Sequence, residues 1–567
     1  MKRLISTAIA LLLSAASWGA ANTRLVVVPV EFSDVSFTDP QKYIYEKVEL
    51  AQRYLSSQFS PIYGTFQLDV LPVVRLSFSM SHYGTNSTTV KDYGLDEAVK
   101  VACIQSGANF APYDNDGDGY IDNICLITAG ASEAEGGGAY CIWPQQGYLH
   151  DRGGTVQLSG KTADCFTACP EFASAGTFCH ELGHVFGLLD MYDTDGRMSG
   201  GTAKGLWGTL SLMDSGGCLP NLNAIELEQL GIGNAVEATP GRITLNPVGS
   251  KREYMRLESD NPGEYFLFEC RSNTGWDDCL EGSGLVVYHI DRSPSDAWYS
   301  DTYRRNLSAA ERWEHNQINC RPEHPCARVI EAVPGTEDPS EIFFPRPGHT
   351  AFGSETDPPF RFWNGGTSEY ALNNISLASD GSVSFDLIIP LSITGTEVFQ
   401  DAAIIGWTVD SSIKLDRCNI IWYSEGNRNS GTQTVFPNAS GIYSATLEGL
   451  QPLASYVVTV RAVSEDGAVF SRTVEFKTKT RLAEARPFIY LNSVERGADG
   501  SFPAGSRIPL RIYNAKDIDR IIWYHKGWRI YPGDDGYWSV SESGTLKAEI
   551  WYTDGSCEII IKEIRVK

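Results

Sequence analysis

Apolar runs alternate with amphipathic stretches over the first 235 residues. Residues 24–34 are rich in β-branched and apolar side chains and predict a first strand, and Asp39 with Pro40 opens a helix of about eighteen residues. Strand-like runs follow within 65–79 and at 124–128, and a second helix is predicted near 95–106. A further helix begins near Ser174. This order of elements predicts a mixed α/β (α+β) domain over residues 22–235.

The pattern changes between residues 236 and 390, where short β runs are broken by Gly and Pro. This stretch predicts a β-rich companion subdomain of the first domain. It also holds several aromatic residues, which are expected to pack in its core, with a substrate cleft as the alternative: Trp298, Trp313, Phe343, Phe344, Phe360, Phe362 and Trp363.

The most specific chemistry lies at residues 179–193, which read CHELGHVFGLLDMYD. On an α-helix His180 and His184 share one face, so both rings can bind one metal ion while Glu181 stands beside its open position. Gly187 can adopt the left-handed conformation that ends the helix and turns Asp190 back as a third ligand. The alternative is an amphipathic helix with two ordinary histidines, but this pattern is expected by chance about twice in 10,000 such chains.

These residues predict a catalytic zinc site. Zn²⁺ would lower the pKa of a bound water, and Glu181 would take its proton as general base. Asp193 is the next candidate for third ligand should Asp190 not serve. Tyr192 is a candidate for stabilising the negative charge that develops during the reaction.

A second motif, at residues 113–123, reads YDNDGDGYIDN. It offers hard oxygen ligands at the offsets of EF-hand-type Ca²⁺ loops: Asp114, Asp116, Asp118, the Tyr120 carbonyl and Asp122. The closing position that should carry a bidentate Glu is Cys125, so the alternative is a solvated acidic turn. Asp193 and Asp195 form another acidic group, equally consistent with a loop turn or a calcium site.

Further segments share the pattern of a known family. WGTLSLMDSGG at 207–217, NAIELEQLGIG at 223–233 and EYFLFECRSNTGWDDCLEGSGLVVYHID at 264–291, together with the histidine motif, resemble the immune inhibitor A family of secreted bacterial zinc metallopeptidases. The resemblance spans roughly residues 24–387. It implies a zincin or metzincin-like catalytic fold, with Met213 as the Met-turn residue beneath the metal. The alternative is an ordinary core methionine. Several metzincins carry a tyrosine where this chain has Ser215.

Composition and the amino terminus favour export. The chain holds 46 basic and 70 acidic residues, a net charge of −24, which argues against nucleic acid or an anionic membrane as partner. Residues 1–21 combine a basic start, an apolar run and small residues, as in a signal peptide cleaved near Ala21. No later run is long enough to span a membrane. A secreted, monomeric protein is expected, with the periplasm or the cell surface as other destinations.

Eleven of the thirteen cysteines lie between Cys103 and Cys326, and an oxidising compartment would pair several of them. Spacing alone leaves the pairing open. The cysteines closest in sequence are the candidate pairs: Cys165 with Cys169, Cys270 with Cys279, and Cys320 with Cys326. The alternative is that some of these thiolates bind a second metal ion.

Beyond residue 390 the chain predicts two β-sandwich domains. Residues 391–480 look like a fibronectin type III module, with Trp407 on an early strand, a central strand at 418–423 and a tyrosine corner at Tyr456. Residues 486–567 predict an immunoglobulin-like module with a hairpin turn at Asp554 and Gly555. The residues between the two modules are polar enough for a linker. Both modules lack a catalytic pattern and are expected to serve as spacers, adhesive domains or a secretion address.

Together these features predict a secreted zinc endopeptidase that acts on proteins or peptides, with Glu181 as general base. Two alternatives stay open. One is a catalytically silent binding or adhesion protein, and the other is a zinc hydrolase that cleaves a non-peptide amide.

Overall fold

The computed structural model describes residues 22–87, 90–196, 198–200, 203–295, 297–424, 429–438, 440–479, 487–491 and 500–567. The predicted signal peptide and the predicted linker at 480–486 lie outside these residues. The chain divides into two compact units. Unit 1 is the described part of Met1–Ala351 with Phe362–Asn364 and Asn373–Asp386, and unit 2 is Phe352–Arg361, Gly365–Leu372 and the described part of Leu387–Lys567. No helix in the described ranges is long and apolar enough to cross a bilayer.

A mostly parallel sheet forms the centre of unit 1. Its strands lie in the order Phe66–Val70, Thr23–Glu31, Ile124–Thr128, Cys165–Pro170 and Gln145–Tyr148, and Val74–Arg75 also pairs with Thr23–Glu31. Only the edge strand Gln145–Tyr148 runs antiparallel to its neighbour. The first strand is apolar at nearly every position because both of its faces are covered, as in other parallel sheets.

The two faces of this sheet belong to different cores. Leu25 and Val27 pack in one cluster with the helix Ala175–Val185, whereas Val26 and Val28 pack in another with the helix Leu95–Ser106. The remaining helices and helical turns of unit 1 are Gln41–Glu46 (a π-helix), Lys47–Gln58, Ser60–Tyr63, Met80–Gly84, Ala111–Tyr113, Leu149–Asp151, Leu212–Ser215, Ala224–Leu230, Val248–Lys251, Gly275–Asp277, Ala309–Glu314 and Pro339–Ile342. The helices predicted near 40–59 and 95–106 are confirmed.

The companion region is β-rich, as predicted. Its main sheet has the order Asn234–Val236, Glu253–Glu258, Glu264–Arg271, Gly284–Asp291 and Ala327–Ile330. Smaller sheets are formed by Gly241–Leu245, Val383–Ile388 and Ala371–Leu377, by Trp298–Ser300 and Arg305–Leu307, and, in the catalytic region, by Tyr120–Ile121, Lys161–Ala163 and Val156–Leu158. Trp313 and Phe343 are buried in the same cluster as Phe178 and Leu182 of the helix Ala175–Val185. The two regions of unit 1 therefore share one hydrophobic core.

Unit 2 is built from strands. One three-stranded sheet contains Leu391–Val398, Ala402–Val409 and Ile442–Glu448, and a four-stranded sheet contains Ser430–Val435, Leu415–Ser424, Ser455–Ser464 and Val469–Lys477. Trp407 is buried in their common core, and the Tyr456 hydroxyl accepts a hydrogen bond from the Gln451 N–H at 2.8 Å, as a tyrosine corner would.

The strands after residue 487 form three further sheets. These are Phe488–Tyr490 with Arg511–Tyr513, Ser506–Pro509 with Tyr537–Val540, and the four strands Trp528–Ile530, Ile518–His525, Gly544–Tyr552 and Cys557–Ile564. The last two strands flank Asp554 and Gly555, so the hairpin turn predicted there is confirmed. The β-sandwich arrangement of both modules stays a prediction.

None of the three candidate disulfides is formed. Cys279 is bonded to Cys218 rather than to Cys270, and this is the one disulfide among the described residues. Cys270 is buried instead, and its thiol donates to the Gly381 carbonyl at 3.0 Å. Cys165 and Cys169 lie on one strand, where four steps separate their Cα atoms by about 13 Å, beyond the reach of a disulfide. Proximity in sequence was therefore a poor guide to pairing. The second close pair, Cys320 with Cys326, is not bonded either.

Candidate metal centre and active site

The helix Ala175–Val185 carries the first two predicted ligands. Ser174 precedes it as N-cap, with its hydroxyl accepting from the Thr177 N–H at 2.9 Å. Gly187 follows its end with φ of 91°, a conformation that costs glycine little. The Leu188 N–H then turns back to the Gly183 carbonyl at 3.0 Å, which reverses the chain. The predicted turn after the helix is confirmed.

This reversal brings the three predicted ligands together. Asp190 Oδ1 lies 3.0 Å from His180 Nε2 and 3.3 Å from His184 Nε2. Three atoms that each bind zinc at about 2.0–2.1 Å in a tetrahedral arrangement lie about 3.3 Å from one another. Asp190 and His180 are buried, and His184 is largely so. Spacing and burial both fit a zinc ion at the centre of the three.

The hydrogen bonds of the two rings support a cation. His180 Nδ1 lies 3.0 Å from the Leu212 carbonyl, and His184 Nδ1 lies 3.0 Å from the Leu188 carbonyl. A carbonyl only accepts, so each Nδ1 carries a hydrogen, and in the neutral ring the Nε2 lone pair faces Asp190. Asp190 Oδ1 is buried without a hydrogen-bond donor of its own. Three acceptor atoms that converge in this way are stabilised by a positive charge between them, which a metal ion would supply.

The electrostatics of the three ligands agree with this geometry. Burial raises the pKa of Asp190, but the two imidazoles outweigh it and hold that pKa well below its usual range. Burial lowers the pKa of His184, and Asp190 reverses this and raises it to about 9. The pKa shifts show that the Asp190 carboxylate stabilises a positive charge beside it, and that a positive charge stabilises the carboxylate.

Glu181 is buried next to the ligands. Burial raises the pKa of its carboxyl group above the usual value, and the neighbouring His180 and His184 oppose this rise. The backbone N–H of Gln146 also lowers it, so the carboxylate lies beside the edge strand Gln145–Tyr148. Glu181 therefore lies between the metal ligands and the exposed edge of the central sheet.

Met213 is fully buried and packs against the helix that carries the two histidines. A Cβ atom on Gly183 would come within 2.7 Å of its sulfur, so the absence of a side chain at Gly183 lets the helix pack closely against this methionine. Its carbonyl accepts from the Met191 N–H at 2.8 Å, which joins the Met213 turn to the segment of the third ligand. Met213 thus contacts both parts of the chain that carry ligands.

Tyr192 lies at the same site. Its ring is nearly parallel to that of His180, with 6.1 Å between the centroids. Burial raises the pKa of its hydroxyl, and Asp190 raises it further, so the group stays protonated at neutral pH and can donate a hydrogen bond. The side chain of Ser215 lies outside what the structure describes.

The acidic loop is brought together in part. Carboxylate oxygens of Asp114, Asp116 and Asp118 lie within 4.8 Å of one another. Lys161 Nζ lies 2.5 Å from Asp114 Oδ2 and neutralises part of that charge. The Asp122 carboxylate instead accepts from the Asn115 N–H at 2.9 Å. Tyr120 begins the short strand Tyr120–Ile121.

The second acidic group stands apart from the histidines. Asp193 and Asp195 lie with the Cys320 sulfur within 4.8 Å of one another. The structure therefore groups Asp190, not Asp193, with His180 and His184.

Two supporting residues escaped the sequence analysis. Asn316, in the companion region, exchanges two hydrogen bonds with Asp190. Glu226 accepts from the Met213 N–H at 3.3 Å and forms a capping box with Asn223. The N-x-x-E spacing of Asn223 and Glu226 is a visible capping signal. Nothing near Asn316 in the sequence marks its partner, which lies 126 residues away.

Comparison with known proteins agrees with the site. Residues 29–231 match the model of the immune inhibitor A peptidase M6 catalytic domain. The chain is 26% identical over 292 residues to "Immune inhibitor A" of Bacillus thuringiensis subsp. alesti, covering 38% of this chain and 42% of that protein. It is 30% identical over 193 residues to "Pre-pro-metalloprotease PrtV" of Vibrio cholerae serotype O1, a match that covers 29% of this chain and 21% of that protein. The chain thus spans less than half the length of these relatives.

Among solved structures, the fn3 domain of human collagen alpha-1(XX) chain matches with 23% identity and a TM-score of 0.14, over 17% of this chain and 83% of that one. A TM-score of 0.14 gives no information about the fold of unit 2. The family match and the His-His-Asp cluster concern the same segment, because residues 29–231 include His180, His184 and Asp190. Residues 29–231 are therefore similar to the catalytic domain of the immune inhibitor A family of M6 peptidases.

Proposed function

We propose that the chain is a zinc-dependent endopeptidase that is exported and cleaves proteins outside the cytoplasm. The observation that carries the proposal is the convergence of two Nε2 atoms and one carboxylate oxygen at 3.0 and 3.3 Å. Its position inside the peptidase-like segment 29–231 adds to it. The chain's predicted leader and the name of the Vibrio relative, a pre-pro-metalloprotease, favour export.

The residues of this site have separate roles in metal binding, proton transfer and charge stabilisation. His180, His184 and Asp190 would hold a zinc ion, which supplies a Lewis acid and lowers the pKa of water near it. Glu181 takes the proton of the attacking water and delivers it to the leaving amine. Its raised pKa suits this task, since a carboxyl group must both accept and release a proton within one turnover. Tyr192 is placed to donate a hydrogen bond to the developing oxyanion.

The edge strand supplies a way to bind an extended peptide. Gln145–Tyr148 ends the central sheet, and it pairs on one side only, with Cys165–Pro170, among the described strands. A substrate can add to the open side through backbone hydrogen bonds. Because Gln146 also adjoins Glu181, a peptide on this strand would pass directly beside the general base. This arrangement favours a peptide substrate over a small amide.

The other functions predict different behaviour. A silent binding protein would hold zinc without turnover, and a hydrolase of non-peptide amides would leave proteins intact. We expect the purified protein to digest casein, to lose this activity with a chelator and to regain it with zinc. A peptide library read by mass spectrometry should show internal cleavage rather than removal of terminal residues.

Two variants separate chemistry from metal binding. Glu181→Gln keeps the size of the side chain but removes the base, so it should bind one zinc ion and lose nearly all turnover. Asp190→Ala should lose zinc itself, and Asp193→Ala serves as its matched control because Asp193 lies outside the histidine cluster. Zinc retained by Asp190→Ala, or turnover retained by Glu181→Gln, would refute the assigned roles.

A further inference from the structure

We propose that Asn316 of the companion region is a positioning residue that selects which oxygen of Asp190 faces the metal. The inference rests on the proposed zinc site. Asn316 reaches the third ligand from a part of the chain that the peptidase-like segment 29–231 does not include.

Two hydrogen bonds tie Asn316 to Asp190. The Asp190 backbone N–H donates to Asn316 Oδ1 at 2.8 Å, and Asn316 Nδ2 donates to Asp190 Oδ2 at 2.6 Å. Together they fix both the backbone and the carboxylate of the ligand. Oδ2 is thereby engaged, and Oδ1 alone is left to face the two histidines at 3.0 and 3.3 Å. Asn316 therefore favours a single ligating oxygen over a bidentate carboxylate.

Asn316 is itself held in place. It follows the helix Ala309–Glu314 and has φ of 53°, a left-handed conformation that asparagine tolerates better than most residues. Its carbonyl accepts from the Thr194 hydroxyl at 2.7 Å. Asn316 is therefore tied to the segment of the third ligand by its backbone carbonyl, through Thr194, and by its side chain, through Asp190.

The amide chemistry explains why this position suits asparagine. One side chain must accept from an N–H and donate to a carboxylate, and a neutral amide does both. An aspartate would accept from the N–H but would bring a second negative charge against Asp190 Oδ2. Partners that orient a metal-binding carboxylate typically contribute about 10 to 100-fold in metal affinity.

The test measures zinc affinity rather than activity alone. Asn316→Gly removes the side chain and keeps the left-handed backbone accessible. We expect it to weaken zinc binding about 10 to 100-fold, by competition with a chromogenic chelator. The Co²⁺-substituted protein should also show a changed visible absorption spectrum, because a carboxylate released from Asn316 can ligate through both oxygens. Asn316→Asp, which keeps the acceptor and the shape, should weaken binding as well.

Asn319 provides the matched control. It is buried three residues away, donates to the Met191 carbonyl at 2.7 Å and accepts from the Ala327 N–H at 3.1 Å, without touching Asp190. Asn319→Ala should lower thermal stability but leave the Co²⁺ spectrum as in the parent. Parent-like affinity and spectrum in both Asn316 variants would overturn the proposal, as would equal changes in Asn316→Gly and Asn319→Ala. A parent protein that binds no zinc would instead refute the proposed function.

Discussion

Glu226 holds the backbone of Met213 by a hydrogen bond: its buried carboxylate accepts from the Met213 N–H at 3.3 Å and from the Ser211 hydroxyl at 2.6 Å. The same carboxylate accepts from the Asn223 N–H at 2.9 Å. Burial raises the pKa of Glu226, and the hydrogen bonds from Ser211, Asn223 and Met213 oppose that rise. The turn that carries Met213 therefore depends on one buried acid in the helix Ala224–Leu230.

We expect Glu226→Ala to destabilise the fold by on the order of 3 kcal/mol, because several buried donors lose their acceptor at once. Zinc affinity should fall too, since the turn that carries Met213 loses its anchor. Urea unfolding of zinc-loaded and zinc-free protein measures both effects. Glu228→Ala is the control from the same helix, because Glu228 pairs with Arg256 and Tyr265 instead. Equal zinc affinities in the two variants would show that Glu226 does not act on the site.

The clustering of His180, His184 and Asp190 could be predicted from sequence because the three residues lie within one helix and the turn that follows it, where local geometry decides the outcome. The helices near 40–59 and 95–106 and the strand Ile124–Thr128 follow from local patterns for the same reason. Asn316 could not be found in this way, because its contact with Asp190 arises only when two distant segments fold together. The disulfide of Cys218 with Cys279, 61 residues apart, depends on the same long-range packing.

The buried imidazole of His289 should make the protein less stable in mild acid. His289 Nε2 lies 2.8 Å from Glu264 Oε1, and Arg328 lies 3.2 Å from its Nδ1. Burial lowers its pKa from 6.5 to about 4, with Arg328 adding to this and Glu264 and Asp291 opposing it. Below about pH 6.5 the unfolded chain binds a proton that the folded chain does not, so stability falls as the pH falls towards 4. The loss from this group is about 3 kcal/mol.

His289→Gln keeps a donor for Glu264 and removes the titrating group. Its unfolding free energy should fall less steeply than that of the parent between pH 6.5 and 4. His150 offers a control of opposite sign, because Asp164 raises its pKa and its contribution is greatest in acid. Substituting His150 with Gln should therefore change the curve mainly above about pH 6.5, where the parent loses this contribution, and leave the fall between pH 6.5 and 4 nearly unchanged. Parallel curves for His289→Gln and the parent would contradict the prediction.

Calcium at the acidic loop stays a prediction. Asp116 and Asp118 lie beside Asp114, and in the described part of the chain Lys161 is the cation paired with this group. A bound Ca²⁺ ion would relieve this repulsion, so calcium should raise the thermal midpoint by mass action on the folded state. Asp116→Asn should abolish the shift without changing zinc stoichiometry, whereas Asp151→Asn, outside the cluster, should leave it intact. A parent melting curve that does not respond to calcium would return the loop to a solvated turn.

A chain that ends at Pro390 should keep the chemistry. All residues assigned to the metal centre lie in unit 1, and the hydrophobic cluster around the active-site helix is formed within that unit. The truncated protein should therefore bind zinc and cleave short unstructured peptides at nearly the rate of the full chain. Protein substrates should be cut more slowly where unit 2 of the full chain supplies a second point of attachment and so a higher effective concentration.

The truncation should expose two segments of unit 2 to proteolysis. Phe352–Arg361 and Gly365–Leu372 belong to unit 2, where Arg472 donates to the Thr367 carbonyl at 3.1 Å. Without residues beyond 390 these two segments lose their partners, so limited proteolysis should cleave them faster than in the full chain. Arg472→Ala in the full chain is the matched control and should reproduce part of this sensitivity with unchanged turnover. If the truncated protein bound zinc and stayed monomeric yet failed on short peptides, unit 2 would have to contribute to catalysis, and the division of the chain at 390 would be wrong.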